Sequence, residues 1–321
     1  MKRLIAEFEK QTLTQIIFPH PKTDWAEYLL EAQECFVNII EAVRKYQLCR
    51  VVCYSVSEVQ KHFESFENLE FVEYEGDDTW ARDCSAISVE TQDSIEYLDF
   101  RFNGWGSKFD AFKDDAMTSN IMSQSKKIDF ILEGGSIESN GKGILLTTSE
   151  CMLNPNRNPH LTQMQITQKL KEYLGVDEVL YLEYGYLAGD DTDSHIDTLV
   201  RFISEDELVY VQCKDKDDEH FDALLKMEKQ LHAFAQKYNF TLHPLPMVSP
   251  LFYDKERLPA TYANFLFVNG AVLIPTYNTP EDQEALDIFA KLLPQREIVG
   301  IDCGVLVRQH GSLHCVTMNF V

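Results

Sequence analysis

A cysteine near the carboxyl end of the chain, Cys315, has the sequence surroundings of a nucleophile. It lies between the turn residues Gly311-Ser312 and an alternating apolar run that begins at Val316, where a loop is expected to become a strand. A thiol attacks as its thiolate, so a reactive cysteine needs a nearby imidazole or another cation. His314 is adjacent, but in a strand it would face the opposite side, so a more distant histidine is the better candidate. The alternative is a buried, unreactive core thiol.

The segment 189–197 carries side chains that could serve such a thiol. Four of its residues recur at every second position: Asp191, Asp193, His195 and Asp197. An extended backbone would bring them onto one face, with neighbours about 7 Å apart. His195 could then activate a thiol while Asp197 binds a cation. The competing interpretation is a divalent metal site, because closely spaced oxygen and nitrogen ligands also suit a metal ion.

A cluster of acidic residues surrounds Trp80 in the stretch 77–83. A carboxylate beside an indole face suits a planar cation, which gains a bidentate hydrogen-bond pair and a cation–π contact. The alternative is a surface ion pair between Arg82 and Asp83, with Trp80 in the core.

Two further polar residues lie where a strand meets a loop. Glu133 ends an apolar strand and precedes two glycines, so its carboxylate is expected at a desolvated rim with room for a ligand. A solvated glutamate in a strand-ending turn is the alternative. Asn264 precedes a strongly apolar strand, a position where asparagine commonly stabilises a turn. Arg157, in a turn-rich loop, is expected to be structural.

The elements that must position these residues alternate between helical and strand patterns. Residues 24–46 begin with a capping-box variant, Asp24-x-x-Glu27, and place apolar residues on one stripe, which predicts an amphipathic helix. Further helices are predicted at 161–173, 217–238 and 280–292. Strands are predicted at 50–55, 69–74, 85–89, 95–100, 127–132, 143–148, 179–183, 198–203, 208–211, 265–274 and 298–301. Because strands outnumber helices by more than two to one, the pattern favours a repeated unit of several strands and one helix.

The composition restricts the partners. The 321 residues carry a net charge of −23, which repels nucleic acid and anionic membranes and attracts cations. No linker rich in Pro, Gly or Ser divides the chain, so one domain over residues 1–321 is expected. Eight cysteines without a C-x-x-C pair argue against a zinc ribbon or a disulfide framework. With no signal-like segment and no membrane-length apolar run, reduced thiols in the cytoplasm are expected.

Taken together, these stretches resemble the agmatine deiminase branch of the guanidine-modifying enzymes, a family that also holds the bacterial peptidyl-arginine deiminases. The motifs run in order along nearly the full chain: DxWxRD at 78–83, FNGWG at 102–106, LEGGSIE at 132–138, LLTTSECMLNPNRNP at 145–159, GDDTDSHID at 189–197, PATYANF at 259–265 and HC at 314–315. The resemblance implies an α/β fold, a five-bladed propeller of ββαβ repeats with pseudo-fivefold symmetry. It also implies a site in the central depression, without a metal or an organic cofactor.

The resemblance also implies roles for individual residues. Cys315 matches the nucleophile and His195 the general acid and base. Asp83 and Asp197 match the carboxylates that bind the guanidinium group. Glu133 matches an acid that hydrogen-bonds both the substrate and the histidine.

Two more positions match residues near the substrate, Trp80 and Asn264. The sequence departs from the usual family pattern in two places. Ser85-Ala86 stand where Gly-Pro is common, and residues 311–313 read Gly-Ser-Leu where glycines and an asparagine are common.

The implied substrate is the small molecule agmatine, hydrolysed to N-carbamoylputrescine and ammonia through a covalent thiouronium on Cys315. The alternatives are an arginine or peptidyl-arginine deiminase and an amidinotransferase that uses the same thiol chemistry. Arginine would require a cationic partner for its α-carboxylate, such as Arg157, Arg201 or Arg308, and the net charge argues against one. A homo-oligomer is expected, with a dimer favoured.

Overall fold

The computed structural model describes residues 2–321. Its strands are β1 Arg3–Leu4, β2 Leu13–Ile17, β3 Leu48–Cys53, β4 Leu69–Glu73, β5 Ile87–Glu90, β6 Ile95–Arg101, β7 Ser125–Ile131, β8 Ile137–Ser139, β9 Ile144–Thr148, β10 Glu178–Leu182, β11 Val200–Phe202, β12 Glu207–Gln212, β13 Thr241–Pro246, β14 Phe252–Tyr253, β15 Glu256–Arg257, β16 Leu266–Val268, β17 Ala271–Thr276, β18 Glu297–Asp302 and β19 Thr317–Phe320. Its helices are α1 Leu29–Val43, α2 Val56–Val59, α3 Ala81–Cys84, α4 Gly104–Ser107, α5 Phe112–Ile121, α6 Ser149–Met152, α7 Gln163–Leu174, α8 Phe221–Tyr238 and α9 Glu281–Leu292.

Five sheets of the described chain repeat one arrangement. A first strand pairs antiparallel with a second, and the second pairs parallel with a third that follows a crossover helix. The five sets are β5–β6–β7 with α5, β8–β9–β10 with α7, β11–β12–β13 with α8, β16–β17–β18 with α9, and β19–β2–β3 with α1. Parallel neighbours require such a crossover, because a tight hairpin can join only antiparallel strands. The predicted α/β class is therefore confirmed, as a set of small mixed sheets.

The crossover helices cover the sheets with apolar faces, as their sequence periodicity predicts. Ala32, Phe36 and Ile39 of α1 are completely buried, and each large apolar side chain contributes roughly 1.5–3 kcal/mol on burial. In α7, Thr162 and Gln165 form a capping box, and the helix ends at Gly175 in the left-handed conformation. The helices predicted at 161–173, 217–238 and 280–292 are confirmed, with small shifts at their ends.

The helix predicted at 24–46 has a different start. Asp24–Tyr28 is a 3-10 turn, and the α-helix begins only at Leu29, with no side-chain cap at either start. The predicted capping box between Asp24 and Glu27 is therefore wrong. The reason is tertiary, because the completely buried Trp25 donates its indole N–H to Thr79 Oγ1 at 3.0 Å.

Two other elements also differ from the prediction. Residues 265–274, predicted as one strand, form the hairpin β16–β17, because Gly270 takes a φ of +84° that reverses the chain. The helix α5 was not predicted, because its sequence FKDDAMTSNI carries no continuous apolar stripe. Among residues 2–321, no helix combines the length and the apolar character needed to cross a bilayer.

Candidate active site

The predicted site residues occupy corresponding places in the fold. Each lies shortly before the first strand of one of the five sheets: Asp83 before β5, Glu133 before β8, His195 and Asp197 before β11, Asn264 before β16, and Cys315 before β19. Five equivalent connections therefore each carry at least one side chain with a possible role in chemistry.

A cavity of about 200 Å³ lies where these connections meet. The Cys315 thiol, the His195 ring and the carboxylates of Asp83 and Asp197 line it, together with Trp80. The rest of its wall includes Trp105, Phe109 and four more carboxylates, those of Asp24, Asp78, Asp190 and Asp191. A thiol, an imidazole and several carboxylates thus share one small, acidic space.

One glycine allows two of the carboxylates and the histidine to lie close together. A Cβ atom at Gly135 would lie 2.7 Å from His195 Nδ1 and 2.9 Å from Asp83 Oδ1. It would also lie 3.0 Å from Asp197 Oδ2, so any larger residue would push the three groups apart. The Gly135 N–H donates to Asp83 Oδ1 at 2.9 Å, and the Trp105 indole donates to Asp83 Oδ2 at 2.9 Å.

Asp197 has one paired and one unpaired oxygen. Its Oδ2 lies 2.7 Å from His314 Nδ1, whereas its Oδ1 is buried and has no hydrogen-bond partner within residues 2–321. Burial acts to raise the pKa of this carboxyl, but the neighbouring His314 outweighs it and lowers the pKa. A buried acceptor without a donor is costly, and the N–H groups of a bound cation would satisfy it.

The thiol and the imidazole both hold their protons tightly. Burial raises the pKa of the Cys315 thiol well above its usual value, and the charges of Asp197 and Asp83 add to the effect. On His195, burial acts to lower the pKa, but Asp83, Cys151 and Glu133 outweigh it and raise the pKa well above its usual value. These shifts favour a neutral thiol beside an imidazolium at neutral pH. A bound cation would lower the pKa of the thiol.

Asn264 lies behind Cys315 rather than in the cavity wall. Its Oδ1 accepts the backbone N–H groups of His314 at 2.9 Å and of Cys315 at 3.3 Å. The Cys315 thiol lies 3.4 Å from the same oxygen. These contacts hold the nucleophile loop in place, so the turn-stabilising interpretation of Asn264 fits its position. Its contact with a substrate stays a prediction.

Glu133 is buried and paired with Arg157. The Arg157 Nε donates to both carboxylate oxygens, at 2.9 and 3.0 Å, and Arg157 also pairs with Asp193 at 2.7 Å. This agrees with the structural role expected for Arg157. Glu133, His195 and Cys151 offer donor atoms within 4.8 Å of one another, a set that zinc accepts. The Arg157 guanidinium against Glu133, however, disfavours a further cation there.

The predicted row of alternating side chains in 191–197 is wrong. Asp193 and Ser194 take positive φ values of 66° and 61°, so this segment is a turn and not an extended strand. The cause is local, because the Asp190 side chain accepts hydrogen bonds from Thr192 Oγ1 and the Ser194 N–H, both at 2.6 Å. His195 reaches the cavity from this turn, whereas Asp193 turns away to pair with Arg157.

Sequence reasoning missed the roles of three residues near the site, His314, Glu7 and Trp105. His314 was set aside because a strand was expected to include it, but β19 begins only at Thr317. Its ring instead joins Asp197 to Glu7, which lies 2.5 Å from Nε2. No local signal marks Glu7, because this contact spans almost the whole chain. The second missed contact, Trp105 with Asp83, lies within the FNGWG motif.

The unusual nucleophile loop, residues 311–313, packs closely despite its departure from the family pattern. A Cβ at Gly311 would lie 2.1 Å from Trp80 Cζ3, so the loop backbone contacts the indole ring directly. Ser312 Oγ lies 2.7 Å from the Tyr277 hydroxyl, and Leu313 is completely buried. Gly311 thus fits where a side chain could not, and the next two residues anchor the loop in the core.

Small mixed α/β sheets that surround a thiol, an imidazole and two carboxylates are typical of cysteine-dependent enzymes acting on planar cations. The model of the Porphyromonas-type peptidyl-arginine deiminase family matches residues 3–320, and the chain belongs to this family. The agmatine deiminase of Pseudomonas aeruginosa (strain UCBPP-PA14) is 30% identical over 350 residues, covering 98% of this chain and 94% of that protein.

Solved structures agree with this assignment. A cysteine-to-serine variant of the C. jejuni agmatine deiminase with substrate bound is 40% identical with a TM-score of 0.96, covering 100% of this chain and 96% of that one. The agmatine deiminase of Enterococcus faecalis is 27% identical with a TM-score of 0.92, covering 99% and 95%. An amidinotransferase from Microseira wollei is similar in fold alone. It is 11% identical with a TM-score of 0.53, covering 99% of this chain and 96% of that one.

Proposed function

We propose that the chain is an agmatine deiminase that hydrolyses agmatine to N-carbamoylputrescine and ammonia. The observation that carries the proposal is the unpaired, buried Oδ1 of Asp197 in a cavity that also holds Cys315, His195 and Asp83. A guanidinium group supplies the missing N–H donors and the positive charge that these groups require. The agmatine deiminases among the relatives support the same substrate class.

Binding prepares the guanidinium carbon for attack. Resonance makes this carbon a poor electrophile, and carboxylates of Asp83 and Asp197 on opposite nitrogens would localise the charge. Trp80 and Trp105 would cover the planar group. The bound cation lowers the pKa of Cys315, and the thiol proton leaves to solvent.

The reaction then proceeds in two halves. The Cys315 thiolate adds to the central carbon, and the His195 imidazolium protonates one of the nitrogens. That nitrogen departs as ammonia, and a covalent thiouronium remains on Cys315. The now neutral His195 takes a proton from water, whose oxygen adds to the same carbon. The tetrahedral adduct collapses by breaking the carbon–sulfur bond, and its hydroxyl proton returns to the sulfur as the ureido product leaves.

The positions of the arginines favour agmatine over arginine. Arg157, Arg201 and Arg308 were candidates to bind an α-carboxylate, yet none of them lines the cavity. Arg201 pairs with Glu7 and Glu138, and Arg308 pairs with Glu31. An acidic wall without a free arginine suits the primary ammonium group of agmatine better than the α-carboxylate of arginine.

Ammonia release from agmatine, free arginine and a peptide arginine tests the proposal. We expect release from agmatine without any added amine, and at least 100-fold lower kcat/KM with the other two. Release that requires an amine acceptor would instead favour the amidinotransferase alternative. Equal rates with free arginine would exclude the proposed selectivity.

The proposal extends to the assembly. The five equivalent sheets, with β19 of the carboxyl end paired to β2 of the amino end, support closure into a five-bladed propeller formed by one domain over residues 1–321. We further propose a homodimer in the cytoplasm. Light scattering measures the dimer, and activity after fractionation of the source cells tests the location.

A further inference from the structure

His314 connects Asp197 of the cavity to Glu7 of the amino-terminal segment. Its Nδ1 lies 2.7 Å from Asp197 Oδ2, and its Nε2 lies 2.5 Å from Glu7 Oε2. Both nitrogens of an imidazole donate only when the ring is protonated. The backbone N–H of His314 also donates to Asn264, which holds the Cys315 loop.

Glu7, whose side chain is 10% exposed, lies among cations. Arg82 Nη2 lies 3.1 Å from its Oε2, and Arg201 Nη2 lies 3.1 Å from its Oε1, which also accepts the Phe267 N–H at 2.9 Å. Burial acts to raise the pKa of Glu7, but His314, Arg201 and Arg82 outweigh it and hold the pKa well below its usual value. The residue is therefore ionised at neutral pH.

This arrangement fixes the orientation of Asp197. Because His314 occupies Oδ2, only Oδ1 remains available to a bound cation. Glu7, at the other ring nitrogen, holds the imidazole in the orientation in which Nδ1 faces Asp197. His195, which faces Asp83 at 3.7 Å, and Arg201 also lower the pKa of Asp197, but by less than His314 does.

We propose that Glu7 is a positioning residue for deimination, acting through His314 on the guanidinium-binding carboxylate of Asp197. This inference rests on the proposed function. It makes the amino-terminal segment between β1 and β2 part of the working site, although Glu7 touches neither the substrate nor Cys315.

The variant Glu7→Gln keeps the size of the side chain and removes its charge. We expect the KM for agmatine to rise roughly 10- to 100-fold, the range for losing one hydrogen bond to a charged group, with a smaller change in kcat. Because the contact with His314 lowers the pKa of Asp197, weakening that contact should raise this pKa. In a plot of the KM for agmatine against pH, the rise of KM at low pH (the acidic limb) should therefore begin at a higher pH than in the wild type.

Glu138→Gln is the matched control. Glu138 is similarly shielded, with its side chain 6% exposed against 10% for Glu7, and it also pairs with Arg201, at 2.6 Å, but it makes no hydrogen bond with His314. We expect it to lower thermal stability while leaving KM and its pH profile within about twofold of the wild type. Equal KM changes in both variants, or an unshifted acidic limb in Glu7→Gln, would overturn the inference.

A double-mutant cycle keeps the test decisive even if Glu7→Gln folds poorly. We expect His314→Asn alone to reproduce the KM effect, and Glu7→Gln to add no further change in that background. Additive effects would overturn the inference. A wild-type protein that releases no ammonia from agmatine would remove the proposed function instead, so the two failures are distinguishable.

Discussion

At the scale of single residues, Cys315 shares its cavity with carboxylates that oppose loss of its proton. Burial, Asp197 and Asp83 all raise the pKa of the thiol, while Asp83 keeps His195 protonated against the effect of burial. These shifts favour the unreactive neutral thiol, and a bound cation would lower its pKa. Reactivity of the thiol should therefore depend on the ligand.

The variant Cys315→Ala separates binding from chemistry. We expect turnover to fall by a factor on the order of 10⁴ or more, because Cys315 is the thiol that lines the cavity and would form the covalent intermediate. Agmatine binding should persist, since Asp83 and Asp197 remain. Calorimetry measures the binding and ammonia release the rate; a variant with near-normal rates would remove the covalent mechanism.

The acidic cavity predicts a pH-dependent KM. Burial raises the pKa of Asp78 to about 6, and burial followed by the charge of Asp190 raises the pKa of Asp191 to about 6. A carboxyl of pKa 6 is roughly one-tenth ionised at pH 5. The attraction of these carboxylates for a cation is therefore present above pH 6 and is lost as the pH falls below 6. We expect the KM for agmatine to rise at least tenfold from pH 8 to pH 5.

Asp191→Asn tests the source of this dependence. It should raise the KM at pH 8 and flatten the profile, whereas Asp129→Asn, which changes an exposed carboxylate outside the cavity, should change neither. A profile that Asp191→Asn leaves as steep as in the wild type would assign the effect to other groups.

At the scale of elements, hydrophobic periodicity predicted the helices that pack against a sheet. It did not predict the elements that have no apolar stripe. The apolar stripes of α7, α8 and α9 were sufficient, because each stripe faces a sheet. The polar α5 and the hairpin at Gly270 were not predicted, since the first has no stripe and the second depends on one left-handed residue.

The chemistry of the site was more accessible to sequence reasoning than its geometry. Residue types and motifs selected Cys315, His195, Asp83 and Asp197, which the fold gathers around one cavity. The contact between Glu7 and His314 spans the chain, and no local pattern specifies it. The alternation in 191–197 was misleading, because short polar side chains favour a turn there.

Gly270 provides a test of the hairpin. A Cβ at this position would meet no atom closer than 4.0 Å, so a substitution changes only the backbone energy. We expect Gly270→Ala to reduce the free energy of unfolding by about 1–2 kcal/mol because of its positive φ. Gly270→Asn should cost less, since asparagine tolerates this conformation. Urea unfolding measures both, and equal costs would exclude backbone strain as the cause.

At the scale of the whole molecule, both ends of the chain complete the fold. The carboxyl-terminal β19 pairs with the amino-terminal β2, and it does so directly after Cys315. Both termini contact the same strand: Lys2 Nζ lies 3.0 Å from Glu96, and the Val321 carbonyl accepts the Tyr97 hydroxyl at 3.0 Å. The nucleophile is thus held in place by pairing between the two ends of the sequence.

A circular permutant follows from this closure. The permutant joins residue 321 to residue 2 through a short Gly/Ser linker and places the new ends in the exposed loop between Lys216 and Asp217. We expect it to keep the fold, and a kcat/KM within about fivefold of the wild type, because every strand pair is retained. Circular dichroism and ammonia release measure the outcome. The matched control inserts the same linker between Lys216 and Asp217 of the unpermuted chain. If the insertion is tolerated but the permutant fails to fold, the two ends do not lie close enough for the linker, and the proposed closure of the five sheets into a propeller would have to be abandoned.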